Sequence, residues 1–279
     1  MLFRSVTILP PLEEIKDNRY AFKMAVKDGT MTCFVNGRKL HEERIGANVD
    51  PWLCISAGHQ VTAEIFNLKF TPTNAAVPEK IDLIASENLA MWRPYLGSIW
   101  GKRGEEIFED GARPEPLPDG KPEVRTFPEN GIYYQRPLVE DSTVEYEFYY
   151  SPDKAMVYPM LDRLAVMLEP EGAKLHWLTD SWHDKSGVKF DNLGDAKGPK
   201  VPLKVKQWNK AKLSVKGDTV TVEVNGTVVF ERAIEATNQR TFGLFHYSDR
   251  SEARVRNVYL SGSWSKQLPT AEQLFEVKK

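Results

Sequence analysis

The sequence feature that most constrains the fold is an internal repeat. Residues 26–43 read VKDGTMTCFVNGRKLHEE and residues 215–232 read VKGDTVTVEVNGTVVFER, with eight identities at a constant offset of 189 positions. A second match, at an offset of 190, relates NLKF at residues 67–70 to NVYL at residues 257–260. Copies this far apart are not the short units of a solenoid, so the sequence predicts two copies of one domain.

Alternation of apolar and polar residues predicts an all-β protein. In TVEYEFYY, Val144, Tyr146 and Phe148 fall on one face of a strand, and Glu145 and Glu147 fall on the other. Further strands are predicted for TVTVEV, RLAVMLEP, KLHWLTD, FGLFHY and ARVRNVYLSG. Many short strands with long loops are typical of an antiparallel β-sandwich. Helical periodicity is confined to residues 78–92 and 269–279.

Each copy of the repeat carries Asn-Gly between two apolar runs, at Asn36-Gly37 and at Asn225-Gly226. A two-residue hairpin turn needs positive φ at both central positions, and Asn followed by Gly tolerates this best. The sequence therefore predicts equivalent hairpins in the two copies.

Charge and composition exclude several classes of function. Lys and Arg number 37 against 39 Asp and Glu, a formal net charge of −2, so we expect no nucleic-acid partner. No apolar run approaches the roughly 20 residues that span a bilayer, and the first residues lack the pattern of a signal peptide. Cys33 and Cys54 fit either two buried apolar side chains or a disulfide, and the sequence leaves both possibilities open.

Two stretches resemble known families. A strand ending in Asn-Gly, followed by FGLFHY and ARVRNVYLSG, resembles the closing strands of concanavalin A-like lectin/glucanase jelly rolls. The stretch EYEFYYSPDKAMVYPMLDRLAVMLEPEGAKLHWLTD resembles a domain family of unknown function abundant in planctomycete bacteria, often in large secreted proteins. The resemblance implies a jelly-roll fold and a bacterial, extracytoplasmic, glycan-related setting. It carries over no catalytic residues, and we expect neither a cofactor nor a metal.

The repeat and the resemblance together predict the domain organisation. We expect an upstream portion of the same protein to be missing, so that the first copy leaves one apolar sheet face uncovered. The predicted segments are the C-terminal part of a first jelly-roll-like domain at 1–72, a linker into the next domain at 73–92, a complete concanavalin A-like sandwich at 80–264 and a polar tail at 265–279.

Charged residues on strand faces are the first candidates for function. Glu145 and Glu147 share one face, and hydrolysis of a glycosidic bond needs two carboxyl groups across that bond. Some jelly-roll glucanases carry a Glu-x-Asp-x-x-Glu pattern, but its third acid is absent here. The alternative to a catalytic role is that Glu145 and Glu147 are solvated side chains on the exposed face of the strand. Arg254 and Arg256 share a face of the last strand, where Arg254 is a candidate for bonding a hydroxylated or acidic ligand.

The segment HWLTDSWHD, residues 176–184, is the second candidate because tryptophan rings stack on sugars and histidine bonds hydroxyl groups. We expect Leu175 and Trp177 to face the core and His176 to lie on the opposite face. Trp182 and His183 are predicted in the loop that follows, where function concentrates. The acidic and histidine residues of this segment lack the spacing of a known metal site.

The sequence favours a non-catalytic carbohydrate-binding or interaction module of a larger protein, with polysaccharide or glycoconjugate as its partner. The candidate ligand-binding residues are His176, Trp182, His183, Glu145, Glu147 and Arg254. The alternative is a glycan-acting enzyme with Glu145, Glu147 and His176 as acid/base groups, and a purely structural domain is the third possibility. A defined pocket lined by these groups would favour the enzyme, and a shallow face with exposed tryptophan would favour binding.

Overall fold

The structure is a computed structural model that describes residues 19–45, 50, 52–53, 64–69, 71, 78–86, 88–89, 91–95, 98–111, 129–178 and 198–264. Strands account for all the regular structure in these ranges, which contain no helix and hence none long and apolar enough to cross a membrane. The strands are β1 (Phe22–Lys27), β2 (Thr30–Val35), β3 (Arg38–Arg44), β4 (Lys80–Asp82), β5 (Trp92–Tyr95), β6 (Gly101–Arg103), β7 (Glu106–Glu109), β8 (Glu129–Pro137), β9 (Ser142–Tyr150), β10 (Tyr158–Leu161), β11 (Leu164–Glu169), β12 (Gly172–Trp177), β13 (Gln207–Lys216), β14 (Thr219–Val224), β15 (Thr227–Ala233), β16 (Thr241–Tyr247) and β17 (Ala253–Gly262).

Two antiparallel sheets form a sandwich around one apolar core. The front sheet has the strand order β12-β11-β10-β16-β8-β5, and the back sheet has the order β15-β14-β13-β9-β17-β7-β6, with β4 also paired to β17. Residues from both sheets belong to the same buried cluster, and the rings of Tyr146 and Phe242 lie 5.9 Å apart between the sheets. The predicted fold class, an all-β antiparallel jelly-roll sandwich, is confirmed.

The period-two pattern correctly assigned the faces of the back sheet. Val144, Tyr146 and Phe148 on β9 are buried, whereas Glu145 and Glu147 point away from the core. The three valines of β14 are buried in the same way. One face of this sheet meets the core and the other meets solvent, which is the arrangement that produces clean alternation.

Strands β1, β2 and β3 form a separate sheet, the first meander, whose turns match those of β13, β14 and β15, the second meander. Asn36 and Gly37 have φ of 51° and 77°, and Asn225 and Gly226 have φ of 48° and 86°. Both pairs form the two-residue hairpin turn that the sequence predicts.

The hydrogen bonds of the two meanders also agree. Asn36 Oδ1 accepts a bond from Ala21 N at 2.9 Å, and Asn225 Oδ1 accepts one from Lys210 N at 3.0 Å. The ladder of each hairpin shifts register at the same place, after Cys33 in one and after the equivalent valine of β14 in the other. The meanders are therefore equivalent, while the partial first sandwich stays a prediction.

The predicted helix at residues 78–92 is wrong. The described part of this segment contains strand β4, which pairs with β17, and the first residue of β5. Ile81 is fully buried between the sheets, and Trp92 Nε1 donates to Leu83 O at 2.7 Å. Short strands interrupted by turns place apolar residues at spacings that imitate a helix. The tail at 269–279 lies outside the described residues.

One arginine ties the N-terminal region to the sandwich. The guanidinium of Arg136, on β8, lies 4.8 Å from the ring centres of both Trp52 and Trp264. Asp50 lies beside it, 3.9 Å from Arg136 Nη1, and accepts a hydrogen bond from Tyr134 Oη at 3.0 Å. Burial raises the pKa of Asp50 above its ordinary value, although the charge of Arg136 opposes this.

Candidate functional site

The outer face of the front sheet carries a buried pair of titratable side chains, His176 and Glu129. His176 Nε2 lies 2.5 Å from Glu129 Oε1, and the two residues are 0% and 3% exposed. A carboxylate only accepts hydrogen bonds, so Nε2 carries the proton of this bond. Ionisable side chains this deeply buried are rare in protein interiors unless they are paired.

The contact between these residues shows that the outer face is concave. His176 lies on β12 and Glu129 lies on β8, and four strand-to-strand steps separate the two strands in the sheet. In a flat sheet, the backbones of β12 and β8 would lie roughly 19 Å apart, because neighbouring strands are about 4.8 Å apart. The sheet must therefore twist and curl enough to bring the two side chains together, as twisted sheets do.

Aromatic rings surround the pair on this concave face. The ring of Phe245 stacks on His176 at 5.4 Å, and the ring of Tyr247 lies 5.7 Å from it. Tyr158 packs against Phe245 at 6.3 Å, and burial raises the pKa of its hydroxyl group. The pair is thus enclosed by apolar and aromatic surface.

Two polar atoms of the pair remain unsatisfied. Within the described residues, His176 Nδ1 and Glu129 Oε2 have no hydrogen-bond partner, although both are buried. An unsatisfied buried polar atom costs about 1–3 kcal/mol, so native proteins keep few of them. Two such atoms on one buried pair mark a place where a ligand group would recover that cost.

The concave face continues toward the edge strand β5. Tyr133 and Tyr95 lie on the same face, are only partly buried, and have ring centres 6.1 Å apart. Gly243 and Gly131 let Met160 lie flat between the strands, because a Cβ at Gly243 would fall 2.5 Å from Met160 Cε. Partly buried tyrosine rings therefore lie on the same sheet face as the buried pair.

The outer face of the back sheet holds the other predicted residues in ion pairs. Arg254 bonds both carboxylate oxygens of Glu106, at 2.7 and 3.1 Å, and this raises the pKa of its guanidinium group. Glu147 accepts bonds from Arg256 at 2.7 Å and from Asn257 at 3.2 Å. These groups are half-exposed and satisfied by one another.

A half-exposed aromatic pair lies within the same surface. The rings of Trp208 and Tyr149 are 5.7 Å apart, edge to face. The guanidinium of Arg256 lies 4.2 Å from the centre of Trp208, and that of Arg254 lies 4.9 Å from Tyr149. Glu145, nearly half exposed, lies 3.5 Å from Lys212. This back-sheet face is shallow, with a mixture of aromatic and charged groups.

The structure therefore separates the predicted site residues. Glu145, Glu147 and Arg254 lie on the outer face of the back sheet, and His176 lies on the outer face of the front sheet, with the core between them. The alternative catalytic set of Glu145, Glu147 and His176 is not brought together around one bond. Trp182 and His183 lie outside the described residues.

The expectation for β12 needs correction. His176 lies on the face opposite Leu175 and Trp177, as alternation requires, but it is completely buried whereas they are only half buried. The reason is that β12 is an edge strand, so its inner side chains reach the rim of the core while the curled outer face is enclosed. Trp177 accordingly lies 5.7 Å from the guanidinium of Arg232 rather than in the centre of the core.

Sequence reasoning missed Glu129. It directly follows a proline-rich stretch of the sequence, yet it begins β8. The usable signal is spacing: Glu129 and Tyr133 are an even number of residues apart, so they share a face of that strand.

A second buried pair lies between the sheets. His246 Nε2 lies 3.1 Å from Glu109 Oε2, and His246 Nδ1 donates to Ser251 O at 3.0 Å. Trp100 packs edge-on against the imidazole and donates to Asn130 Oδ1 at 2.8 Å. The described residues contain no cluster of three or more side chains placed to hold a metal.

The fold and the site define a jelly-roll β-sandwich domain with a concave sheet face and a shallow opposite face. The chain belongs to the family described as Domain of unknown function (DUF1583_N), whose model matches residues 124–267. A second model, Protein of unknown function (DUF1581), matches residues 23–114. No curated protein matches the chain.

Solved structures with similar folds include carbohydrate-binding modules, lectins and hydrolases. Carbohydrate binding module CBM66 from Bacillus subtilis is 14% identical, over 62% of this chain and 96% of that one, with a TM-score of 0.41. The VIP36 exoplasmic/lumenal domain, bound to Ca²⁺ and Man3GlcNAc, is 10% identical over 64% and 86%, with a TM-score of 0.39. A native glycosidic hydrolase is 10% identical over 64% and 92%, with a TM-score of 0.40. At such values neither a site nor a ligand is transferred to this chain.

Proposed function

We propose that this chain is a carbohydrate-binding module of a larger extracytoplasmic protein and that it binds glycan at the concave face of its front sheet. The observation that carries the proposal is the His176–Glu129 pair, buried among aromatic rings with one unsatisfied polar atom on each residue. Sugar sites combine aromatic surface with a few precisely placed polar groups, which is the composition of this face.

The chemistry of the pair fits hydroxyl groups. Glu129 Oε2 accepts a hydrogen bond, and His176 Nδ1 accepts one when the imidazole is neutral. Two neighbouring acceptors match two hydroxyl donors on one sugar ring, and the rings of Tyr95 and Tyr133 offer apolar surface to its C–H face. A ligand held by bonds to a charged group gains about 1.5–3 kcal/mol for each bond.

The test is a glycan array followed by titration of the best ligand with matched variants. Glu129→Gln preserves shape but turns an acceptor into a donor, and we expect about 10- to 100-fold weaker binding, corresponding to one charged hydrogen bond. Glu145→Gln is the control, since it makes the same change on the back-sheet face. A structural role for the pair would instead shift the melting temperature and leave affinity unchanged.

The same experiment tests the predicted ligand role of the back-sheet face. Glu145, Glu147 and Arg254 remain proposed ligand-binding residues there, supported by the half-exposed Trp208 beside them. Weaker binding after Trp208→Ala, with Glu129→Gln unaffected, would move the site to that face and overturn the assignment to the front sheet.

A glycan-acting enzyme is the second candidate, favoured by the short contact between an imidazole and a carboxylate. A carboxylate that orients a histidine is a recurring arrangement in acid/base catalysis. Release of new reducing ends from a bound glycan, abolished in both His176→Gln and Glu129→Gln, would support this candidate over simple binding.

A further inference from the structure

The two arginines on the outer face of the back sheet differ in how many of their donors are used. Arg254 gives Nε and Nη2 to the two carboxylate oxygens of Glu106. Arg256 gives only Nε, to Glu147 Oε2 at 2.7 Å. Among the described residues no group bonds Nη1 or Nη2 of Arg256, and its side chain is 40% exposed. Arg256 therefore presents the free fork of its guanidinium group, with two donor nitrogens, to solvent.

The guanidinium group of Arg256 is also held in one orientation. It lies 4.2 Å from the ring centre of Trp208, and Glu147, which bonds its Nε, is itself bonded by Asn257 Nδ2 at 3.2 Å. A guanidinium that is stacked and bonded has already lost much of its rotamer freedom, so a ligand pays less entropy to bind it. The free fork is a preorganised donor site.

Positive charge exceeds negative charge around this fork. Lys210 lies in register with Glu147 on the neighbouring strand and is exposed, and its ammonium group has no partner among the described residues. Lys210, Arg254 and Arg256 thus outnumber the carboxylates of Glu106 and Glu147. Cationic donors without a partner attract an anion, and a planar carboxylate matches the fork of a guanidinium group.

The positive excess is confined to the end of the face that holds Trp208. Two residues further along β13, Lys212 lies between Glu145, at 3.5 Å, and Glu223, at 3.7 Å. Carboxylates outnumber the cation there, so an anion is favoured beside Trp208 and disfavoured further along the sheet.

The two outer faces of the sandwich offer opposite hydrogen-bonding groups. On the front sheet, Glu129 Oε2 accepts, and so does His176 Nδ1 when the imidazole is neutral. A ligand carboxylate placed there would meet another carboxylate. On the back sheet, the terminal nitrogens of Arg256 and the ammonium group of Lys210 only donate. A ligand that carries a carboxylate therefore fits the back sheet and not the front sheet.

We propose that the Trp208 end of the back-sheet face is a second glycan site, which recognises the carboxylate of a uronic acid unit in an acidic polysaccharide. This assignment rests on the glycan-binding function proposed above. The carboxylate accepts from both terminal nitrogens of Arg256, with Lys210 beside it. The partly exposed rings of Trp208 and Tyr149 offer apolar surface to the C–H groups of the sugar.

The test is calorimetric titration of the full chain with an oligogalacturonate and with its methyl ester, which keeps the sugar but removes the charge. We expect the ester to bind about 10-fold more weakly or less, the loss of one charge-assisted contact. Arg256→Lys keeps the charge but loses the fork, so it should weaken binding of the acid by about 10-fold without changing the melting temperature.

Two lysines of β13 provide a matched comparison. Lys210→Gln should weaken binding of the acid. Lys216→Gln makes the same change in charge on the same strand and the same face, about 20 Å away, and should leave binding unchanged. Both side chains are exposed, so neither substitution should affect folding.

Several outcomes would overturn the proposal. Equal affinity for the acid and its ester would show that the carboxylate is not recognised, and equal losses in the two lysine variants would reduce the effect to general charge attraction. Loss of acid binding in Glu129→Gln would place the ligand on the front sheet. Tighter binding of a glutamate peptide of equal charge would assign the site to an acidic protein.

Failure of this proposal and failure of the proposed function give different results. If a neutral glycan binds and Glu129→Gln weakens it, but the oligogalacturonate does not bind, the second site is wrong and the front-sheet site stands. If neither the neutral nor the acidic glycan binds, both proposals fall.

Discussion

Single residues in this fold are most constrained where neighbouring strands of the front sheet pass under a bulky side chain. Gly243 is the tightest case on the concave face, since an added Cβ would lie 2.9 Å from Ile132 O as well as 2.5 Å from Met160 Cε. A backbone oxygen cannot move aside as the end of a flexible side chain can. The position therefore requires glycine for space rather than for backbone conformation.

Gly243→Ala should destabilise the chain by about 1–3 kcal/mol, the usual cost of forcing an extra methyl group into a packed region. Urea unfolding would measure this value. Gly101→Ala is the control, because its Cβ would meet only the outer ring atoms of Phe108, which is partly exposed and free to shift. Equal losses in the two variants would show that crowding at Gly243 is not the cause.

Asp50 gives a pH dependence with a defined sign. Burial raises the pKa of this carboxyl group, so the folded chain binds its proton more tightly than the unfolded chain does. The wild type should therefore lose stability relative to Asp50→Asn as pH rises from the unfolded pKa, about 3.9, through the higher folded pKa. Unfolding free energies of both chains, measured from acid to neutral pH, give this difference directly. A difference that stays flat, or that changes in favour of the wild type, would contradict it.

Some candidate site residues could be predicted and others could not. Period-two alternation was enough to place Glu145, Glu147 and Arg254 on exposed strand faces. It also placed His176 on the outer face of β12, but not its burial, because burial there depends on how strongly the sheet curls. The partnership with Glu129 joins residues 47 positions apart through that curvature, and no local pattern encodes it.

At the level of elements, the Asn-Gly turns show how far local chemistry specifies structure. Asn225 adopts φ of 48°. Its side-chain Nδ2 also donates to Pro202 O and to Asn209 Oδ1, both at 2.8 Å. The turn type followed from the dipeptide alone. The bonds that anchor the turn to a distant loop followed from tertiary packing and were not predictable.

Asn225→Ala should destabilise the chain by about 3 kcal/mol, from the left-handed backbone strain of a non-glycine residue and the loss of its side-chain bonds. Asn225→Gly should cost about 1 kcal/mol less, because it loses the same bonds without the strain. Thermal unfolding of the two variants separates the two contributions. If Gly is as damaging as Ala, backbone strain plays no part at this position.

Strand identity was predictable on the back sheet and less so on the front sheet. β16 is buried along nearly its whole length, so it lacks the alternation that tells an inner from an outer face. A strand covered on both sides reads as a continuous apolar run, and only its length and aromatic content identify it. Strand β4 has only three residues, too few to show a period of two, and it lies in a segment whose apolar spacing imitates a helix.

At the scale of the whole molecule, the two meanders have the same backbone but opposite surroundings. One contributes to a complete core and the other exposes its apolar face. The repeat in the sequence predicted the equivalence of the hairpins. It did not predict the contact of Asp50 and Trp52 with the sandwich, because that contact has no counterpart in the second copy.

Residues 1–72 expressed alone should therefore aggregate or remain unfolded. A three-stranded sheet with one uncovered apolar face buries too little surface to offset the entropy of ordering the chain. Circular dichroism and light scattering of the purified segment provide the measurement. A soluble monomer of residues 1–72 with a cooperative thermal transition would contradict this expectation.

The guanidinium of Arg136, held between Trp52 and Trp264, has an evolutionary consequence. Because Arg136 is buried against Asp50 and Trp52, removing the N-terminal region would expose Trp264 and leave the arginine with Glu140, at 3.4 Å, as its remaining carboxylate partner. A deletion of the N-terminal region would therefore also weaken the sandwich, and we expect selection to keep the two parts together.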